Sequence, residues 1–138
     1  KKEDKEYRLP TEEEWEKACK GPEITIYSYA DVYYEEMCGK GVEEVHHLGE
    51  HQACISGYGV ADMSGNLREW TSSQPGAKED RRVVKGGLRS NNLRGSRCAY
   101  SIDERQNFSD STLGFRCCVT APAPVEAAPA SPEAGTNG

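Results

Sequence analysis

Apolar positions are grouped at the start of the chain and then thin into short runs. Within Leu9-Pro10-Thr11-Glu12-Glu13-Glu14-Trp15-Glu16-Lys17-Ala18-Cys19, the residues Trp15, Ala18 and Cys19 stand three and four positions apart. That spacing puts them on one inward face of a helix and turns the charges outward. Thr11 with Glu14 three residues later forms a capping box, the acidic first turn suits the positive end of the helix dipole, and Gly21-Pro22 stops the helix. Beyond Pro22, apolar stretches stand out at residues 24–29, 59–63, 67–71, 83–85 and 115–120, separated by clusters of Gly, Asn, Asp and Ser. The pattern predicts one helix followed by short strands and long irregular loops, an α+β arrangement without internal repeats. A domain with this much loop needs something other than sheet to fix it.

Residues 121–138 are mostly Ala, Pro, Glu and Gly, with Val125 the single large apolar side chain. Such a segment cannot offset its own ordering entropy and reads as a disordered tail. The chain thus divides into a compact unit over 1–120 and a Pro/Ala-rich tail over 121–138. The tail serves as a linker, for example a tether to a larger envelope assembly. A polyproline partner site would need basic flanks, which are missing.

Composition adds constraints. The chain has 138 residues, 36% hydrophobic and 29% charged, so its core is small and staples such as disulfides or bound ions matter more. A formal charge of -6 argues against nucleic acid, which needs a concentrated basic surface, and leaves acidic oxygens for a hard cation such as calcium. No apolar run approaches the roughly 20 residues that span a bilayer. Six cysteines, irregularly spaced and without a C-x-x-C pair, argue against a zinc knuckle or a thioredoxin-type motif. Their even number favours disulfides, hence an extracytoplasmic setting: periplasm, cell surface or secretion. No signal peptide is visible, and the opening Lys1-Lys2-Glu3-Asp4 reads as the middle of a domain. Of His46, His47 and His51, the last two have the i, i+4 spacing of a helical metal clamp. Gly49 interrupts any helix there, so the three read as residues of a solvated loop.

Four blocks in order resemble one family. They are Arg8-Leu9-Pro10-Thr11-Glu12-Glu13-Glu14-Trp15-Glu16, then Gly57-Tyr58-Gly59-Val60-Ala61-Asp62-Met63-Ser64-Gly65-Asn66-Leu67-Arg68-Glu69-Trp70-Thr71, then Val83-Val84-Lys85-Gly86-Gly87, and Leu113-Gly114-Phe115-Arg116-Cys117. Together they look like the RLPTEAEWE, YGLYDMxGNVWEW, VxRGGS and GFR blocks of the formylglycine-generating enzyme and sulfatase-modifying-factor family. The resemblance implies an irregular, loop-rich fold related to C-type lectins, held by disulfides and calcium. The family domain has a sizeable half before the RLPTE block, so that upstream half is an expected partner of this chain.

The resemblance also implies roles. Asp62 and Glu69 by side chain, with Gly65 and Leu67 by main-chain oxygen, match the family's calcium loop; a hard cation takes several such oxygens. The plain alternative is a turn in which Asp62 and Asn66 bond local amides. A second calcium site would start near Asp31 and Val32, where the sequence departs from the pattern, and none is assigned. Active members bind copper through two cysteines between the RGG block and the following R-C pair, and convert a cysteine of a C-x-P-x-R target to formylglycine. Here the segment 88–97 holds no cysteine. Asn and Ser do not replace thiolates as soft ligands, so no copper is expected. The reading is a non-catalytic binding or structural module with a protein partner; the alternative is a formylglycine-generating oxidase with other ligands.

By the same resemblance Cys19 pairs with Cys98, a closure contributing about 4 kcal/mol in the chain-entropy model, and Cys117 pairs with an upstream cysteine. Proximity and parity suggest Cys38 with Cys54, leaving Cys118 over. A reactive thiol at Cys117 or Cys118 has only Arg116 beside it to lower its pKa. Arg8, Arg97 and Arg116 are expected to be buried and paired with carboxylates such as Glu14 or Glu69. Asn91, Asn92, Arg94, Asp103, Arg105 and Asn107 lie where this fold has its concave face, and suit ligand recognition or plain solvated loop equally.

Overall fold

In a computed structural model of the chain, described over residues 5–39, 45–87 and 93–121, the predicted helix is α1, Glu12–Lys20. Its capping box is complete: the Glu14 amide donates to Thr11 Oγ1 (3.2 Å) and the Thr11 amide to Glu14 Oε2 (2.9 Å). Gly21 closes it at φ 67°, its amide bonded to Lys17 O, and a Cβ there would stand 3.0 Å from the Gly57 nitrogen. Both the left-handed backbone and the close approach require glycine. The inward face carries the core: Trp15 and Cys19 are buried with Met63 and Cys98, and Ala18 and Val60 pack against them.

The described residues form six short strands. β1 (Tyr7–Arg8) pairs antiparallel with β6 (Cys118–Val119). A four-stranded sheet runs in the order β4 (Ile102–Arg105), β3 (Arg81–Lys85), β2 (Arg68–Trp70), β5 (Leu113–Phe115), with β2 and β5 parallel and the other neighbours antiparallel. The stretches at 67–71, 83–85 and 115–120 therefore contribute strands as expected.

Two others do not. At 24–29 the amides bond outside any ladder: Thr25 N donates to Lys20 O, Ile26 N to Asp31 Oδ1, Tyr27 N to Ala30 O and Ser28 N to Ser64 Oγ. Only Tyr27 and Ser28 are buried there, while Ile24 (φ 57°) and Ile26 face solvent. With no strand beside it, the segment takes side-chain and turn acceptors instead. At 59–63 the single ladder contact is an Ile55–Ala61 bridge, because the Ser56 and Gly59 amides are spent on a tight turn.

Two disulfides do what the small core cannot. Cys19–Cys98 ties α1 to the C-terminal block across 79 positions, and Cys38–Cys54 closes a loop of 16. Closures of these lengths are worth about 4 and about 3 kcal/mol in the chain-entropy model. Cys117 and Cys118 are free thiols, one exposed and one half-buried. Among the described residues no helix is long and apolar enough to cross a membrane. The tail assigned to 121–138 lies, beyond Ala121, outside the described residues.

Candidate functional site

The turn before β2 gathers the residues singled out in the second block. Asp62 and Asn66 adopt left-handed backbone (φ 60° and 65°), which short polar side chains tolerate better than most. Asp62 Oδ2 accepts from the Gly49 amide (2.7 Å), and the Asp62 amide donates to Cys54 O. Asn66 grips the His46 backbone twice, accepting from its amide (2.9 Å) and donating to its carbonyl (3.2 Å). Gly65 lies so close to the Cys38–Cys54 staple that a Cβ on it would stand 2.8 Å from both Cys38 Cβ and Cys38 O.

β2 then carries Glu69 into the interior, where its carboxylate is the hub of a charged knot. Trp15 Nε1 donates to Oε2 (2.7 Å), Arg116 Nε to Oε2 (2.5 Å), and Arg116 Nη2 to Oε1 (2.6 Å). The Glu69 side chain is 9% exposed and that of Arg116 23%. The bidentate fork is the strong form of an ion pair. The parallel register that sets Glu69 beside Gly114 brings Arg116 within reach, and its Nη2 also bonds Ala61 O (3.1 Å). One guanidinium therefore links α1, through Trp15 and Glu69, to the turn at Asp62.

The four expected calcium ligands thus lie on one turn and strand with different commitments. Asp62 spends one carboxylate oxygen on an amide, the Gly65 carbonyl accepts from the Leu67 amide (2.9 Å), and both Glu69 oxygens already accept hydrogen bonds. Among the described residues no group of three or more His, Cys, Asp or Glu side chains is placed to hold a metal.

The other predicted residues separate. Arg116 pairs with Glu69, and Arg8 forks onto both Glu14 oxygens at 2.7 Å. The Arg8 hydrogen bonds first, then the Thr11 amide, hold the Glu14 carboxyl down to about 2. Arg97 is exposed and pairs with no carboxylate among the described residues, so the expected buried pair is not formed there. Asp103 accepts from Arg81 and from Lys78 (3.4 Å), fastening β4 to β3; burial opposes its ionisation, but these cations outweigh it and lower its pKa. Arg105 meets Asp80 at 3.9 Å on the surface, and Asn107 is exposed. Arg94 lies against the Tyr100 ring, while Asn91 and Asn92 are outside the described residues.

Two buried charges escaped the sequence reading: Arg68, whose Nη1 pairs with Glu104 Oε1 (3.0 Å), and Lys85. Lys85 has no exposed side-chain surface; its Nζ lies 3.4 Å from Glu16 Oε2 and 3.8 Å from Glu12 Oε1, above the Trp15 ring. Burial pushes the Glu16 carboxyl up, but Lys20 and Lys85 together bring it below its ordinary value. The signal was its place in Val83-Val84-Lys85-Gly86-Gly87, where the resembled block has arginine, a cation that pairs with helix carboxylates.

Strands of two to five residues, two disulfides and charge pairs threaded through a small apolar core define a loop-rich α+β domain of the formylglycine-generating-enzyme type. The chain belongs to the sulfatase-modifying factor enzyme 1-like domain family, with residues 1–121 matched. It is 31% identical over 139 residues to a Mus musculus protein named inactive C-alpha-formylglycine-generating enzyme 2, covering 86% of this chain and 45% of the relative. The Bos taurus protein of the same name is 30% identical over 129 residues, covering 80% and 43%. The chain therefore spans less than half the length of these curated relatives. Among solved structures the fold matches Treponema denticola variable protein 1 (TM-score 0.69, 23% identity, 82% of this chain and 47% of that one). It also matches CarF (TM-score 0.66, 24% identity, 80% and 46%).

Proposed function

We propose that this chain is part of a non-catalytic, extracytoplasmic member of the family that works by binding a protein partner. The observation that carries the reading is the absence of any cysteine between Gly87 and Cys98, where active members hold copper. The remaining thiols do not stand in for that pair. Four cysteines are consumed in disulfides; Cys118 Sγ donates to Arg8 O (3.4 Å), and Cys117 is exposed outside the strand. Within the segment 88–97 no hard or amide donor suits copper(I). The word "inactive" in the names of the two curated relatives agrees with this reading, and two disulfides suit an oxidising compartment. The other half of the domain, and beyond it a larger envelope assembly reached through the tail, are the partners this reading supplies.

Calcium belongs to the same proposal as a structural ion. It would be held by Asp62, the main-chain oxygens of Gly65 and Leu67, and Glu69. A carboxylate offers about four lone-pair directions, so Glu69 keeps one beyond its three hydrogen bonds. Arg116 already neutralises Glu69, which leaves Asp62 as the uncompensated charge and places the affinity in the roughly 0.1–1 mM range of extracellular modules.

A copper(I) competition with a chromogenic chelator tests the non-catalytic reading. The protein should leave copper on the chelator, and Cys117→Ser should change nothing. Stoichiometric, tight withdrawal of copper that Cys117→Ser or Cys118→Ser abolishes would overturn the proposal. For calcium, a melting-temperature rise that saturates near millimolar calcium and vanishes in Asp62→Asn is expected; an unchanged melting curve would remove the ion from the account.

A further inference from the structure

The loop read from sequence as solvated holds a pair of buried imidazole nitrogens. His46 and His51 meet edge to face with ring centroids 4.6 Å apart. The Nε2 atoms of both are buried, and neither has a hydrogen-bond partner among the described residues. Both converge on Gly39: a Cβ built there would lie 3.0 Å from His51 Nε2 and 3.2 Å from His46 Nε2. Glycine at this point, with φ 94°, leaves room between chain and rings. Buried imidazole nitrogens without partners are costly and call for a ligand.

The neighbours suit a metal rather than a hydrogen-bonding organic group. Glu50 Oε2 stands 3.8 Å from His46 Nδ1, on the ring edge opposite Nε2. That oxygen accepts from the His47 amide (3.2 Å), so the carboxylate is a negative neighbour on the Nδ1 edge and leaves Nε2 uncommitted. The frame is rigid before any ion arrives. Cys38–Cys54 joins the two limbs, Asn66 clamps the His46 backbone, and Cys54 N donates to His51 O (2.8 Å). An open cleft lined by Tyr34, Met37, Glu50 and His51 adjoins the His51 side of the pair.

The geometry points to a binding site for a borderline divalent transition metal such as zinc or cobalt, with His46 Nε2 and His51 Nε2 as its protein donors. Water or an external ligand completes the coordination. The site is chemically separate from the proposed calcium turn, since imidazole suits zinc and cobalt whereas oxygen donors suit calcium.

The test is a Co2+ titration of the oxidised chain with millimolar calcium present, read by the cobalt visible spectrum, followed by displacement with Zn2+. One ion per chain with micromolar affinity is expected. His46→Gln and His51→Gln should each weaken binding about tenfold or more, and the exposed His47→Gln should leave it unchanged. In the wild type, Zn2+ should shift the imidazole NMR signals of His46 and His51 together and leave His47 in place, a readout that survives if a variant misfolds. No binding up to millimolar cobalt, or an equal effect of His47→Gln, would overturn the assignment.

Discussion

Removing the Glu69 carboxylate tests how the knot at the centre of the domain holds it together. In Glu69→Ala the Trp15 indole N–H, on a residue 1% exposed, loses its acceptor and stays buried, a penalty of about 1–3 kcal/mol. Arg116 loses both arms of its fork. A fully buried cation left alone costs about 3–5 kcal/mol. With 23% of its side chain exposed and Ala61 O still accepting from it, Arg116 can rehydrate, which reduces that cost to about 2 kcal/mol. The sum is about 4 kcal/mol, a large part of the 5–15 kcal/mol that holds a typical domain. Glu69→Gln keeps an acceptor for Trp15 but turns an amide toward a guanidinium, and should cost about half as much. Urea unfolding of the oxidised protein, followed by tryptophan fluorescence, gives both values. A double-mutant cycle with Arg116→Met should show coupling above about 1 kcal/mol. Repeating the series in calcium and in chelator isolates any share carried by an ion. A loss below about 1 kcal/mol for Glu69→Ala, the size of a surface pair, would refute the reasoning.

Three further outcomes follow from the same structure. Replacing Cys19 and Cys98 together by serine should lower stability by about 4 kcal/mol in chemical denaturation, whereas Cys117→Ser should change it by less than about 0.5 kcal/mol. The folded Glu14 value near 2 lies below its ordinary 4.5, so the Arg8–Glu14 contribution is complete above about pH 4.5 and fades as pH falls toward 2. Because those side chains are 37% and 45% exposed, solvent screening keeps it small, and Glu14→Gln should flatten that part of the acid stability profile. Gly65→Ala should destabilise by about 1–3 kcal/mol in thermal melts, because its Cβ would meet Cys38 at 2.8 Å.

What could be read in the sequence was local or carried by a block. The helix came from the spacing of Trp15, Ala18 and Cys19 and from its capping box, both confined to adjacent turns. That block arginines pair with carboxylates such as Glu14 or Glu69 followed from the scarcity of apolar residues, which could not say which pairs with which or that Arg97 stays out; Cys19 with Cys98 followed from the resemblance. Strand β4 was missed because Ile-Asp-Glu-Arg looks like loop; it is a strand because Asp103 answers Arg81 across the register. β1 has only two residues and pairs with β6 from the other end of the chain, so no nearby pattern announces it. His46 and His51 are five apart, a spacing that fits neither helix nor strand, and only the fold of 45–54 against Gly39 and Asn66 brings their rings together.

The central claim, that this family member binds and does not oxidise, is tested most directly by turnover. The full-length protein carrying this chain would be incubated with copper, oxygen and a C-x-P-x-R peptide beside an active family member, and the peptide weighed by mass spectrometry. The account predicts an unmodified cysteine with this protein and formylglycine with the control. Formylglycine formed by this protein would mean that its oxidising ligands lie outside 88–97, and the claim would be wrong.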